Sequence, residues 1–172
     1  MEWRRIATHG DPATISRHGH TSTLLAGRIF VYGGRTSDKD FIENIHILDP
    51  ASNTWKVPRV RSNPPPRVFH TSNALEDSRL MIFGGSGPLP AEEGASSFYN
   101  DIWLYIADRT TWERCNVAGM PPPPRAAHTS VLLTSPRPSL IICGGTNSVS
   151  TFGDLWLCAI ASPRWEALTT AG

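Results

Sequence analysis

Three triplets have residue types that could do chemistry: His20-Thr21-Ser22, His70-Thr71-Ser72 and His128-Thr129-Ser130. A histidine beside a hydroxyl suggests activation of a nucleophile, and several histidines suggest a metal. A catalytic serine, however, needs one singular histidine and an acidic residue to orient it. Here the same triplet returns three times, so structural hydrogen bonding at one recurring position explains all three together. Each histidine is preceded three residues earlier by an arginine: Arg17, Arg67 and Arg125. A planar guanidinium pairs bidentately with a carboxylate or phosphate, so these are candidate ligand contacts as well as candidate structural ions. The three cysteines, Cys115, Cys143 and Cys158, form no C-x-x-C, and no histidine lies three to five residues away. They are too few and oddly numbered for a disulfide framework, and are expected to be reduced thiols packing as small apolar groups.

The elements that must position these residues are short. The chain has 172 residues, a one-domain length, with 40% hydrophobic and 18% charged residues, as expected of a globular protein. Sixteen Lys and Arg against 15 Asp and Glu leave a net charge of +1, which argues against a nucleic-acid partner, since that would need a basic excess. Fifteen prolines and 14 glycines suit many short elements joined by turns rather than long helices. The N-terminus has no apolar signal region, and no apolar run approaches the roughly 20 residues of a bilayer span. The expectation is therefore no membrane partner and a cytoplasmic location, with the nucleus as an alternative.

Self-similarity organises the rest. A glycine pair follows a short apolar run at Gly33-Gly34, Gly84-Gly85 and Gly144-Gly145, at gaps of 51 and 60 residues. Before each pair lies the Arg-x-x-His-Thr-Ser string, and after it an apolar segment and then a tryptophan: Trp55, Trp112 or Trp165. Trp3, 52 residues before Trp55, reads as the last strand of an earlier unit. Within a unit the pattern predicts four strands, a to d. In the second unit these are residues 70–75, 79–83 and 102–106, with strand d around Trp112. The glycines would permit a sharp reversal that a Cβ makes costly. The runs Pro64-Pro65-Pro66 and Pro121-Pro122-Pro123-Pro124 would be loops, since proline cannot donate to a ladder.

Strand b carries the architecture. Ile29-Phe30-Val31-Tyr32, Leu80-Met81-Ile82-Phe83 and Leu140-Ile141-Ile142-Cys143 are apolar on both faces, whereas a strand with one wet face would alternate. Each small sheet must therefore be covered on both sides, and with no helical pattern available its neighbours must do the covering. Four-stranded sheets stacked face to face in sequence order are propeller blades. Arg-x-x-His-Thr, an apolar run, Gly-Gly, Asn/Asp-x-apolar (Asn44, Asp101, Asp154) and Trp at a period near 50 resembles the kelch repeat across nearly the whole chain.

The expected fold is thus all-β. It is a single domain, residues 1–172, forming a partial kelch-type β-propeller of about three four-stranded antiparallel blades (17–58, 67–115 and 125–168) after a blade remnant (1–8). Kelch-like propellers usually close with six or seven blades, so the resemblance implies either further blades in a longer chain or self-association. Stacked sheets lie roughly 10 Å apart, too far for equivalent histidines to share one zinc with ligands at ~2 Å. The resemblance also implies that Arg17, Arg67 and Arg125, leading into strand a, face a ligand or instead pair with a neighbouring blade and serve closure. The long loop over residues 86–99, with Glu92, Glu93 and Tyr99, is expected on the same rim as the d–a connectors and is a second candidate partner contact. Gly33, Gly34, Gly84, Gly85, Gly144, Gly145, Trp55, Trp112 and Trp165 are expected to be structural. Trp103 and Trp156 recur in strand c, where the first unit has His46. The function this implies is a non-catalytic scaffold for a protein or peptide partner, with no cofactor or metal. The alternatives are a regulatory or specificity domain of an enzyme and a galactose-oxidase-like copper enzyme.

Overall fold

The structure, a computed structural model, describes residues 2–10, 16–38, 40–76, 78–88, 97–135 and 137–169. The described residues form strands and turns with no helix. After a two-residue β1 (His9–Gly10), three antiparallel meanders follow in chain order. Blade 1 is β2 (Thr21–Leu25), β3 (Arg28–Tyr32), β4 (His46–Asp49) and β5 (Thr54–Lys56). Blade 2 is β6 (Thr71–Ala74), β7 (Arg79–Phe83), β8 (Ile102–Ile106) and β9 (Thr111–Arg114). Blade 3 is β10 (Thr129–Leu133), β11 (Ser139–Cys143), β12 (Leu155–Ala159) and β13 (Arg164–Leu168). The second unit's strands b and c fall where the alternation of apolar runs and turn residues puts them. The proline runs lie outside every strand.

The doubly apolar strand b is explained by its register. In β7, Leu80 and Ile82 join Phe30, Tyr32 and Ile45 of blade 1 in one buried cluster. Met81 and Phe83, pointing the other way, join Leu140, Ile142 and Cys158 of blade 3 in the next. The middle blade is therefore covered on both faces by its neighbours. The strand d tryptophans look back at the preceding blade. Trp112 lies 4.8 Å from the Tyr32 ring and Trp165 lies 5.3 Å from Phe83, centroid to centroid. Such tilted pairs add to the burial of large aromatic surfaces.

The N-terminal segment corrects one expectation. Residues 2–8 form no strand, and Trp3 is 93% exposed. A strand d is held by its ladder to strand c, and none of the described strands pairs with residues 2–8. The phase of the repeat nonetheless extends through this segment. Trp3 and Gly10 are spaced as Trp112 and Gly119 are, and both glycine segments run parallel to the next blade's strand d. Both glycines have positive φ, and a Cβ at Gly10 would lie 2.3 Å from the Trp55 carbonyl oxygen.

Candidate binding face and the clamps beneath it

The repeated histidines and threonines are spent between blades. The Nε2 of His70 lies 2.8 Å from Thr21 Oγ1 of blade 1, and the Nε2 of His128 lies 3.0 Å from Thr71 Oγ1 of blade 2. The imidazoles also meet aromatic rings edge-on, His70 on Tyr32 and His128 on Phe83. One step along the same strands, Asn73 Nδ2 donates to Ser130 Oγ at 2.7 Å, and Thr23 bonds to Ser72. The glycine pairs complete the clamp. The Gly34 N–H donates to the Arg67 carbonyl at 3.0 Å, and the Gly85 N–H to that of Arg125 at 2.8 Å. A Cβ at Gly33 would sit 2.5 Å from the Arg67 carbonyl oxygen and 2.8 Å from the His70 ring, so the next blade occupies the space that a side chain would need. The hydrogen bonding expected of the histidines and threonines is present, and it runs from sheet to sheet.

Arg67 and Arg125 have no solvent-accessible surface. Arg67 donates to the Pro65 and Gly84 carbonyls, pairs bidentately with Asp101 at 2.7 and 3.2 Å, and stacks 4.5 Å over the Tyr99 ring. Arg125 repeats this with Pro123, Gly144, Asp154 (2.5 and 2.8 Å) and the Phe152 ring. Each carboxylate also accepts the indole N–H two residues on, from Trp103 or Trp156, at 2.7 Å. The recurring Asp-x-Trp of strand c is thus the receptor for the recurring arginine. Fully buried guanidiniums with these partners offer nothing to a ligand. The side chains of Arg67 and Arg125 therefore pair neither with a ligand nor with a neighbouring blade, as the two expectations had it, but within their own blade, tying the lead into strand a to strand c. Arg17 is half-buried and differs: it reaches the Gly33 carbonyl at 3.4 Å and His46 Nδ1 at 3.1 Å, while Asn44 stands where the other blades carry aspartate.

The electrostatics follow the burial. Burial pushes the His128 imidazole down to about 4, with the Arg125 charge acting in the same direction. His70 is driven well below the usual range, by burial first and by Arg67 second. Both rings are therefore neutral at pH 7 and suited to a neutral hydrogen bond with threonine. Burial works to raise Asp101, but the Arg67 hydrogen bonds and charge outweigh it and hold the carboxyl low. At Asp154 the Arg125 hydrogen bond is the leading influence, again downward. Burial pushes the Tyr32 hydroxyl up, and the group donates to the Pro64 carbonyl at 3.2 Å.

Above these clamps lies a rim whose residues vary from blade to blade. The second x of Arg-x-x-His is Gly19, Phe69 or Ala127, each with positive φ. Phe69 N–H donates to the Gly19 carbonyl and Ala127 N–H to the Phe69 carbonyl, forming a blade-to-blade chain of backbone bonds. This geometry turns the side chains outward, leaving Phe69 43% exposed. Beside it lies the exposed His18, whose ring is 6.5 Å from that of Phe69 and whose Nε2 accepts from Arg35 Nε at 3.0 Å. The described ends of the 86–99 loop, residues 86–88 and 97–99, meet the same rim. Ser86 and Val68 exchange backbone hydrogen bonds, and the Tyr99 hydroxyl donates to the Pro66 carbonyl at 3.5 Å. Half-buried Tyr99 therefore ties the loop base to the d–a connector. Glu92 and Glu93 lie outside the described residues. Sequence reasoning missed Phe69, His18 and Arg35. The available signal was that the x positions vary inside an otherwise repeated string, marking side chains that the clamp does not use.

Stacked four-stranded meanders, a glycine-pair reversal into the next blade and a buried Arg–Asp–Trp unit define this chain as propeller blades of the kelch type. It belongs to the kelch-repeat family: the family model described as the KLHDC2/KLHL20/DRC7 kelch-repeats domain matches residues 1–172. Among curated proteins, it is 31% identical over 159 residues to the Rab9 effector protein with kelch motifs of Xenopus laevis, covering 90% of this chain and 40% of that one. It is 30% identical over 166 residues to the flagellar outer-arm dynein alpha chain of Chlamydomonas reinhardtii, covering 91% of this chain and 4% of that one. Human host cell factor 1 is 30% identical over 135 residues, covering 76% of this chain and 6% of that one. The chain thus spans well under half the length of each.

Proposed function

We propose that this chain is a non-catalytic scaffold that presents one rim of its blades, the side carrying the d–a connectors and b–c loops, to a protein or peptide partner. The observation that carries the reading is the division of labour within Arg-x-x-His. The arginine side chain is consumed inside its own blade and the histidine in the bond to the preceding one, while the variable position between them places an exposed aromatic, Phe69, beside His18 and Arg35. An exposed aromatic flanked by cationic or hydrogen-bonding groups is the composition of interaction hot spots. A rigid sheet stack beneath it lowers the ordering cost of binding. The loop over residues 86–99 would extend the same surface. Kelch repeats also occur within much longer relatives, which is consistent with an interaction module that serves a larger polypeptide.

The test is selection of peptides from a displayed random library on the wild-type chain, followed by titration against two variants. Phe69→Asp combined with Arg35→Glu alters the rim, whereas Lys56→Glu alters strand d at the far edge. Peptide affinity is expected to fall about tenfold or more on the rim variant and to stay level on the edge variant. Peptides that ignore the rim change and respond at the edge would overturn the reading.

A further inference from the structure

The cysteines are chemistry-bearing residues that neither the clamps nor the rim use. Cys143 is exposed at the end of β11, but the other two come from different blades and converge. Cys158 stands in β12 of blade 3 and is 1% exposed. Half-buried Cys115 follows β9 of blade 2 and packs against the same cluster. Both line one cavity of about 70 Å³ at the boundary of these blades, and Met81 of β7 lines it with them. All three sulfur-bearing residues of that cluster thus border a single space.

The rest of the wall decides what the space suits. It is apolar, with Leu104 and Ile160 among its side chains, and carries one charge, Arg79. No imidazole, carboxylate or phenol stands among the described lining residues. Structural zinc takes four nitrogen, sulfur or oxygen ligands, and calcium and magnesium take oxygen, so this wall serves none of them. Thiolate and thioether ligands without hard donors select Cu(I). A disulfide would use the two thiols alone, whereas an ion also uses the thioether and the charge. Two thiolates around one Cu(I) carry one net negative charge, which is costly to bury unless it is paired. Arg79 supplies the opposite charge. Burial pushes the Cys115 thiol up, with Arg79 pulling it down and Glu113 adding to the rise. Cys158 is pushed up to about 11, by burial first and by Cys115 second. The two sulfurs are therefore within electrostatic reach of each other, and both are protonated at pH 7. An entry path exists as well. Cys115 also lines a solvent-open cleft of about 560 Å³, beside Asp101, Arg114 and Trp165.

We propose that the cavity between blades 2 and 3 binds one Cu(I) ion through Cys115 and Cys158, with Met81 as third ligand and Arg79 as counter-charge. On binding, copper forms a bond to each thiolate, the two thiol protons pass to solvent, and the copper remains Cu(I). Its ligands come from both blades, so the ion ties one blade to the next. The proposal is independent of the rim reading above, since none of its residues belongs to the rim.

Anaerobic titration of the reduced chain with Cu(I), against bicinchoninate as competitor, provides the test. Wild type is expected to take one Cu(I) per chain and to unfold at a higher temperature when loaded. Cys115→Ala and Cys158→Ala are each expected to weaken binding about 100-fold or more and to abolish that thermal shift. Met81→Leu, which keeps the volume, is expected to weaken it about tenfold. Cys143→Ala should bind like wild type. Circular dichroism checks that each variant folds. Should Cys158→Ala fail to fold, Cys115→Ala at the half-buried end of the site carries the test. A wild type that yields all its copper to the competitor overturns the proposal. So does uptake that survives in Cys115→Ala, or uptake that is lost in Cys143→Ala.

Discussion

The arginine leading into strand a sits in two different environments. In blades 2 and 3 it is fully buried, forked onto aspartate and roofed by an aromatic ring, and the aspartate is shared with an indole. In blade 1 the same position is half-buried, the aspartate is Asn44 and the tryptophan is His46. Two substitutions changed together, and the partner atoms changed with them. The difference teaches that Arg, Asp and Trp act as one unit spread over strands a and c. Where the carboxylate is replaced, the indole that it would accept from is replaced too. Removing one partner of a buried charge pair leaves the other uncompensated, and in blade 1, where the carboxylate is gone, the retained Arg17 is only half-buried.

The sharpest way to break this comparison is to delete the carboxylate in each setting. Asp101→Ala leaves the Arg67 guanidinium buried without its counter-ion and should cost about 3–5 kcal/mol in urea unfolding. Asn44→Ala in blade 1 should cost about 1 kcal/mol or less, the scale of a neutral hydrogen bond. Equal losses at the two sites would contradict the division between them.

Acidification sharpens it next. His128 has a folded-state pKa near 4, below the ordinary unfolded value of 6.5. The unfolded chain therefore binds the proton more readily, and stability contributed by the neutral ring is intact above pH 6.5 and lost as pH falls toward 4. The loss at this one site is on the order of 3 kcal/mol by linkage. The downward shift at His70 has the same sign. Replacing His128 with glutamine should flatten the unfolding midpoint between pH 6.5 and 4. Replacing the exposed His20 should leave most of the slope in place.

A smaller effect is expected from restoring the missing charge. Asn44→Asp gives Arg17 a carboxylate at a half-exposed site, and such pairs contribute about 0.2–1 kcal/mol. A gain within that range, fading in high salt, would show that blade 1 accepts the ion pair of its neighbours.

Much of this was legible in the sequence, for identifiable reasons. The doubly apolar run Leu80-Met81-Ile82-Phe83 demanded cover on two sides, and the structure supplies a different blade on each. The glycine pairs announced a reversal, and their positive φ values place it there. The histidine and threonine recurrence announced hydrogen bonds, but not that Thr21 would find the histidine of the next unit, because partner choice depends on how the sheets stack. The arginines were ambiguous for the same reason: a fork suited to a ligand carboxylate suits Asp101 equally well, and only burial decides between them. Phe69 was hidden inside a repeated string, where the backbone turn that exposes it leaves no mark on residue type. Trp3 has the right spacing for a strand d, yet a strand needs a ladder, which spacing alone does not provide.

The claim at the centre of this account is that the repeated histidines and threonines hold one blade to the next. A double-mutant cycle on Thr71 and His128 tests it most directly, with Thr71→Val, His128→Phe and the pair measured by equilibrium unfolding. The two residues are 57 positions apart in sequence and bonded at 3.0 Å between blades 2 and 3. A coupling energy of about 1 kcal/mol is expected. Strict additivity would contradict the account.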